Sequence, residues 1–359
     1  MIVVAHALGG TLKGGVFNMV LNFNKELKDT CKFIYLVMED YADPKVIYQL
    51  EKLGAQVVVI PNFRNFIHYI VFLLSFYYKN KIDVVHVHNP NIGIIDIFFS
   101  MFFGVENRIV HSHSSVFSAK IINCYINKFL NIFLNIFSTN KLACSKKAGI
   151  AKFKNNKFQV VFNGIDINEY KYSLSDRRLY REKFGLDESD IILGHVGAFN
   201  SIKNQDFIVD IFDELLKMKK NYKLFFVGDG DLKEIVISKV KELKLEKKIF
   251  FLGQRDDVNS LLSMFDIFLF PSKFEGLGIS VVEAQAVGLK SIVSENVPVE
   301  TKVTDIISYI PLERQIWVNK IINTNLVIER DKYNNIVENS QFNIKYAAKD
   351  LLDIYKLIN

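Results

Sequence analysis

Short apolar runs alternate with longer segments whose apolar positions recur at helical spacing, and the alternation occurs in two series. In the first series the predicted strands are Ile2–Ala5, Lys32–Val37, Gln56–Val59, Val84–Val87, Arg108–His111, Lys141–Ala143 and Val160–Phe162. Between them, helices are predicted over Val16–Leu27, Pro44–Leu53, Phe66–Tyr78, Ile94–Phe103, Ile121–Phe137 and Lys146–Ala151. The second series has strands at Ile191–Val196, Tyr222–Val227, Ile249–Phe251, Ile267–Phe270 and Ser291–Val293. Strand–helix alternation of this kind is the pattern of a doubly wound parallel sheet. Two such series predict two Rossmann-like domains facing across a cleft, residues 1–167 and 168–343. The charged stretch Asn168–Asp190 serves as linker and short helix. The segment 344–359 has Ala347, Leu351, Leu352, Ile354 and Tyr355 at helical spacing and forms a last helix.

A length of 359 residues exceeds one ordinary core, which agrees with two domains. Half of the residues are hydrophobic and 23% are charged, a composition that excludes a disordered chain. The formal net charge of +6 favours anionic ligands or an anionic membrane surface and falls short of a nucleic-acid binder's charge. Three scattered cysteines, Cys31, Cys124 and Cys144, make neither a disulfide framework nor a zinc knuckle. The cytoplasm is the expected compartment. The opening Met1-Ile-Val-Val-Ala lacks the basic start of a secretory signal and is expected to be a strand. The most apolar tract, Phe66 to Tyr78, is shorter than the roughly 20 residues that span a bilayer, so no transmembrane helix is expected.

The densest chemistry lies between Phe268 and Ser294. A buried strand stops at Pro271, and the loop Phe274-Glu-Gly-Leu-Gly278 gives a backbone that a ligand can approach closely. A helix from about Ser280 to Ala286 then ends at Gly288. Its N-terminus suits an anion. Glu283 sits among Val281, Val282, Ala284 and Ala286, where a carboxylate is costly without a partner.

This strand–loop–helix–strand, with its Glu-x7-Glu layout from Glu275 to Glu283, resembles the family-4 retaining glycosyltransferases of the GT-B fold. The likeness is to the bacterial enzymes of capsular and exopolysaccharide assembly. It implies transfer of a sugar from a nucleotide sugar, UDP-linked in expectation, to an acceptor hydroxyl on a lipid-linked or other oligosaccharide. It also implies that Glu275 and the amides of Gly276, Leu277 and Gly278 hold sugar hydroxyls, and that Glu283 binds the ribose. In Gly197-Ala198-Phe-Asn200-Ser-Ile-Lys203-Asn204, Lys203 matches the family lysine that neutralises the donor diphosphate. The family arginine is replaced here by Ala198, and Asn200 is a candidate substitute. Gly15, in the glycine-rich stretch after the first strand, matches the loop that packs on the donor phosphates. Gly228 and Gly253 match turns at strand ends, the latter with Arg255 beside the nucleotide base. His113 matches the histidine that reaches the donor sugar near the reacting carbon. No metal and no cofactor are implied.

Asn163-Gly164-Ile165-Asp166 reads as a structural turn before the linker, and the hydroxyl of Ser145 is a candidate lining of the cleft. Asp229 and Asp231 form an Asp-x-Asp that reads as a turn into the next helix rather than a metal motif. His86 with His88, and His111 with His113, are His-x-His pairs at strand spacing. Zinc ligands and core histidines are the alternatives for them. Two other functions fit the same pattern: a nucleotide-sugar epimerase of the same shape, and a non-catalytic sugar-nucleotide-binding subunit. Finally, the segments 66–81 and 120–141 mix aromatic residues with Lys79, Lys81, Lys120, Lys128 and Lys141. They are expected either to cover the sheet or to rest on the inner face of the plasma membrane.

Overall fold

The computed structural model describes residues 1–8, 14–88, 90–115, 121–218, 221–326 and 329–357. The chain divides into two compact units, Met1–Ile165 with Ile344–Asn359, and Asp166–Asn343.

In the first unit the order is β1 (Ile2–Ala7), α1 (Gly15–Leu27), β2 (Cys31–Met38), α2 (Pro44–Lys52), β3 (Gln56–Ile60) and α3 (Phe66–Lys79). It continues through β4 (Val84–Val87), α4 (Pro90–Phe102), β5 (Asn107–Ser112), α5 (Ile121–Phe137), β6 (Asn140–Ala143), α6 (Lys146–Phe153) and β7 (Gln159–Val160). The seven strands form one parallel sheet in the order β3-β2-β1-β4-β5-β6-β7. The strand order reverses between β1 and β4, and in such sheets ligands bind beyond the carboxyl ends of the strands at that switch. All of β4 is buried, as expected of a strand covered on both faces.

The second unit contains α7 (Leu174–Lys183), β8 (Ile191–Val196), α8 (Gln205–Leu216), β9 (Tyr222–Val227), α9 (Lys233–Glu242), β10 (Ile249–Phe251) and α10 (Val258–Met264). There follow β11 (Ile267–Phe270), α11 (Ile279–Ala286), β12 (Lys290–Ser294), β13 (Ile307–Ile310), α12 (Arg314–Ile322) and α13 (Asp331–Glu338). Its parallel sheet has the order β10-β9-β8-β11-β12-β13, so the switch falls between β8 and β11. The sequence pattern did not single out β13, α12 or α13. Partly buried arginines tie the helices of this unit to one another. Arg330 donates to the carbonyls of Leu262, Ser263, Phe265 and Val287, and Arg177 pairs with Asp266 at 2.6 Å.

Helix α14 (Ile344–Tyr355) returns the chain to the first unit, where Ile344, Ala347, Leu351, Ile354 and Tyr355 join the core with β1 and α1. Gly164 permits the return. A side chain there would press on the Ile344 backbone at 2.6 Å, and Ile344 N–H donates to the Ile165 carbonyl.

Candidate active site

At the switch of the second sheet, the loops after β8 and β11 bring Lys203 and Glu275 together. Asn200 shapes the first loop: its Oδ1 accepts from the amides of Ile202 at 3.1 Å and Lys203 at 3.0 Å. Asn204, in the left-handed conformation, donates to the Pro271 carbonyl, and Lys273 N–H donates to the Ile202 carbonyl, so the two loops are stitched. Lys203 Nζ reaches Glu275 Oε1 at 2.6 Å and lies 4.4 Å from the centre of the Phe270 ring. Both charged side chains are largely buried, 19% and 11% exposed, so the attraction is poorly screened.

Gly278 caps α11 with φ of 90°, a conformation that suits glycine and turns the chain from the Glu275 loop into the helix. Among the described residues no side chain caps this N-terminus, and although Val281 N–H donates to the Gly278 carbonyl, the first amides of α11 are left to an external acceptor. One turn on, Glu283 is buried and accepts a 3.0 Å hydrogen bond from the Tyr170 hydroxyl. Desolvation pushes the Glu283 carboxyl up to about 7, although the hydrogen bond from Tyr170 and the charge of Lys203 oppose the rise. Tyr170 is the partner that the apolar surroundings of Glu283 called for, and no sequence signal pointed to it.

The glycine turns pack backbone on backbone. Gly197 N–H donates to the Val227 carbonyl and Gly228 N–H to that of Gly253. At Gly228, with φ of 135°, a Cβ would come within 2.2 Å of the Gly197 oxygen. Asp229 accepts from the Gly230 amide and pairs with Lys233, the first residue of α9, while Asp231 lies in the turn just before that helix. Arg255 is held by Asp257, Nε to Oδ1 at 2.7 Å, and Asp257 also accepts from the Tyr180 hydroxyl. That anchoring leaves Arg255 in a fixed surface fork beside Gly253. Ala198 is exposed, and its carbonyl accepts from Gln205 Nε2 at 2.9 Å.

In the first unit, Gly15 is the first residue of α1, next to the left-handed Gly14, while Gly9 and Gly10 lie outside the described residues. Ser145 is buried and accepts from the Ala148 amide at 3.1 Å, which caps α6 rather than lining an opening. The histidines form a larger group than the sequence indicated. His86 Nδ1 is hydrogen-bonded to the Tyr355 hydroxyl at 2.8 Å and its Nε2 to His111 at 3.2 Å. His88 contacts His113 at 2.9 Å and His6 at 2.8 Å. His6 was missed because it stands alone in an apolar run, and only the pairing of β1 with β4 sets it beside His86. Burial holds His6 and His113 near 3 and the other three well below the ordinary histidine value, so all five rings are neutral. Two three-histidine sets bring ring nitrogens within 4.8 Å of one another. Those sets contain no carboxylate or thiolate, and both nitrogens of His88 are engaged by neighbouring rings.

Helix α5 is inverted relative to an ordinary surface helix. It buries Asn127 and Asn131, with Leu134 the one fully buried apolar residue among those described, and exposes Tyr125, Ile126, Phe129, Ile132 and Ile136, each 51% or more. Helix α3 likewise exposes Phe66, Ile67, Val71 and Tyr78. Among the described residues no helix is long and apolar enough to cross a membrane.

Residues 176–305 match the family model for glycosyl transferases group 1. The chain is 26% identical over 311 residues to the putative glycosyltransferase EpsF of Bacillus subtilis, covering 82% of this chain and 79% of that one. It is 24% identical over 343 residues to an Escherichia coli UDP-Gal:alpha-D-GlcNAc-diphosphoundecaprenol alpha-1,3-galactosyltransferase, covering 89% and 86%. The crystal structure of Anabaena HepE in complex with UDP-glucose superposes over all of both chains with a TM-score of 0.82 at 19% identity, a likeness of fold.

Proposed function

We propose that the chain is a group 1 glycosyltransferase of GT-B fold, related to bacterial enzymes of capsule, exopolysaccharide and O-antigen assembly, and that it transfers a hexosyl or N-acetylhexosaminyl group from a UDP-linked donor to a lipid-linked saccharide. What supports this most is the convergence at one sheet switch of a partly buried lysine, a partly buried glutamate and a helix N-terminus without a side-chain cap, with the buried Glu283 one turn along.

In the proposed reaction Lys203 and the α11 amides neutralise the diphosphate as the bond from the anomeric carbon to its oxygen breaks. The acceptor hydroxyl attacks from the same face, and its proton passes to the leaving diphosphate oxygen. Configuration is retained, UDP is released, and no protein base is needed. Glu275, with the amides of Gly276 to Gly278, holds the sugar hydroxyls, and His113 donates to the sugar or its phosphate. Glu283 takes the ribose hydroxyls. Gly15, Gly197, Asn200, Gly228, Gly253 and Arg255 frame the nucleotide.

A lipid-linked acceptor is supported by the name of the galactosyltransferase relative, whose acceptor is diphosphoundecaprenol-linked. The exposed apolar faces of α3 and α5 support it independently, because they suit the interface of an anionic membrane. The deciding experiment incubates the protein with a panel of UDP-sugars and a synthetic polyprenyl-diphosphate sugar. Release of UDP with a product one sugar larger is expected. An isomerised nucleotide sugar, or no turnover with any donor, overturns the proposal.

A further inference from the structure

His6, His88 and His113 stand in one row across three neighbouring strands. His6 lies in β1, His88 just beyond β4 and His113 just beyond β5, and the sheet order sets these strands side by side. His6 Nδ1 is 2.8 Å from His88 Nε2, and His88 Nδ1 is 2.9 Å from His113 Nε2. All three rings are neutral, as shown above, and a neutral imidazole has one N–H and one lone pair.

Each contact joins an Nδ1 to an Nε2. Both are hydrogen bonds only if the three rings carry their protons on the same nitrogen. With every proton on Nδ1, donation runs from His6 to His113, and His113 Nδ1–H is left to bond elsewhere. With every proton on Nε2, donation runs the other way, and His6 Nε2–H is left over. The three tautomers are therefore a single two-way setting.

The ends of the row differ. His6 is buried beside Phe33 and Tyr35, and the Tyr35 hydroxyl already accepts from Asn24. His6 Nε2 and His113 Nδ1 both lack a partner among the described residues. Orphaned buried N–H groups are rarer than under-used acceptors. Both nitrogens are buried, but His113 is the one ring of the row that is partly exposed as a residue, so the setting that leaves the N–H there avoids stranding a donor among the aromatic rings around His6.

We propose that His88 is a positioning residue that holds His113 with its proton on Nδ1, as a hydrogen-bond donor to an oxygen of the bound sugar nucleotide. His113 is thereby excluded as a general base through that nitrogen. The inference rests on the assignment of His113 to the donor made above.

The test is nitrogen-15 NMR of the histidine-labelled full chain, which reads the tautomer without any substrate. Wild type should show His113 protonated on Nδ1. His88→Leu should abolish that preference, and His88→Gln, whose amide can still donate to His113 Nε2, should restore it. In transfer assays His88→Leu should lower kcat by about 10- to 100-fold, the scale of a misplaced active-site group, with little change in donor KM. If His88→Leu folds poorly, His88→Met, whose thioether cannot donate to His113 Nε2, should likewise release the setting. His113 protonated on Nε2 in wild type, or an unchanged tautomer in both His88→Leu and His88→Met, overturns the proposal. A confirmed tautomer with no sugar transfer would instead sink the assignment of function.

Discussion

Lys203 and Glu275 are bonded to each other at 2.6 Å, with the lysine also over the face of Phe270. If the lysine serves the diphosphate and the glutamate the sugar, donor binding has to open this pair. Glu275→Gln should then free Lys203 and tighten UDP, which has no sugar, while slowing transfer from UDP-sugars. Lys203→Met should weaken UDP and lower kcat by about 10²–10³, the loss typical of one charge-stabilising donor. Calorimetric UDP titrations beside UDP-release kinetics measure both. Equal losses of UDP affinity in the two variants would contradict an opening pair.

Glu283 predicts a pH dependence. Its folded value of about 7 stands above the unfolded value of 4.5. Between those values the folded protein keeps a proton that the unfolded chain has lost, so stability falls as pH rises through the window. Glu283→Gln should remove that slope and raise stability at pH 8, by about 2–3 kcal/mol at most. Thermal melts from pH 4 to 8 follow this directly. Ribose hydroxyls bond better to the carboxylate, so uridine should bind about ten-fold more tightly at pH 8 than at pH 6. A flat uridine affinity across that range would remove Glu283 from the ribose.

The segment around Glu283 was legible in the sequence for physical reasons that operate locally. Pro271, the glycines at 276, 278 and 288, and the apolar spacing between them set a strand, a loop and a helix within one short stretch. The parallel two-sheet fold followed from the same alternation. Tyr170 was not legible, because it meets Glu283 across 113 residues of chain and nothing near it in sequence marks it. The histidine row failed in the same way, being created by strand order. At Ser145, a hydroxyl at a strand end was expected to line an opening, and the helix that starts there claims it instead.

Ala198 offers a gain-of-function test. The residue is exposed, and its carbonyl accepts from Gln205. An arginine side chain there enters without displacing core atoms. Ala198→Arg should tighten UDP by about 1–2 kcal/mol, the scale of a charged hydrogen bond. Unchanged affinity in a folded variant would mean that another cation already neutralises the diphosphate.

The inverted helix α5 should bring the protein to membranes. Tyr125, Phe129, Ile132 and Ile136 are exposed beside Lys128, which lies 5.7 Å from the Tyr125 ring. Flotation with anionic vesicles is expected at low salt and should weaken at high salt, since each lysine near such a surface contributes about 1 kcal/mol. Phe129→Ser with Ile136→Ser should reduce flotation without lowering the melting temperature. Failure of the wild-type protein to float at low salt would remove the membrane from the proposed function.

The passage of the chain out of the first unit and back through Gly164 and α14 sets an order of events at synthesis. The strands of the first sheet leave the ribosome first, yet α14, which covers part of their core, is made only after the whole second unit. During that interval the surface later taken by Ile344, Ala347, Leu351, Ile354 and Tyr355 has no cover from its own chain. Domains generally fold as units while synthesis proceeds. Here the later-made unit is continuous and can close first, and the earlier-made one has to wait. A nascent chain of this design therefore has a window in which a chaperone that binds apolar surface has a defined place to act.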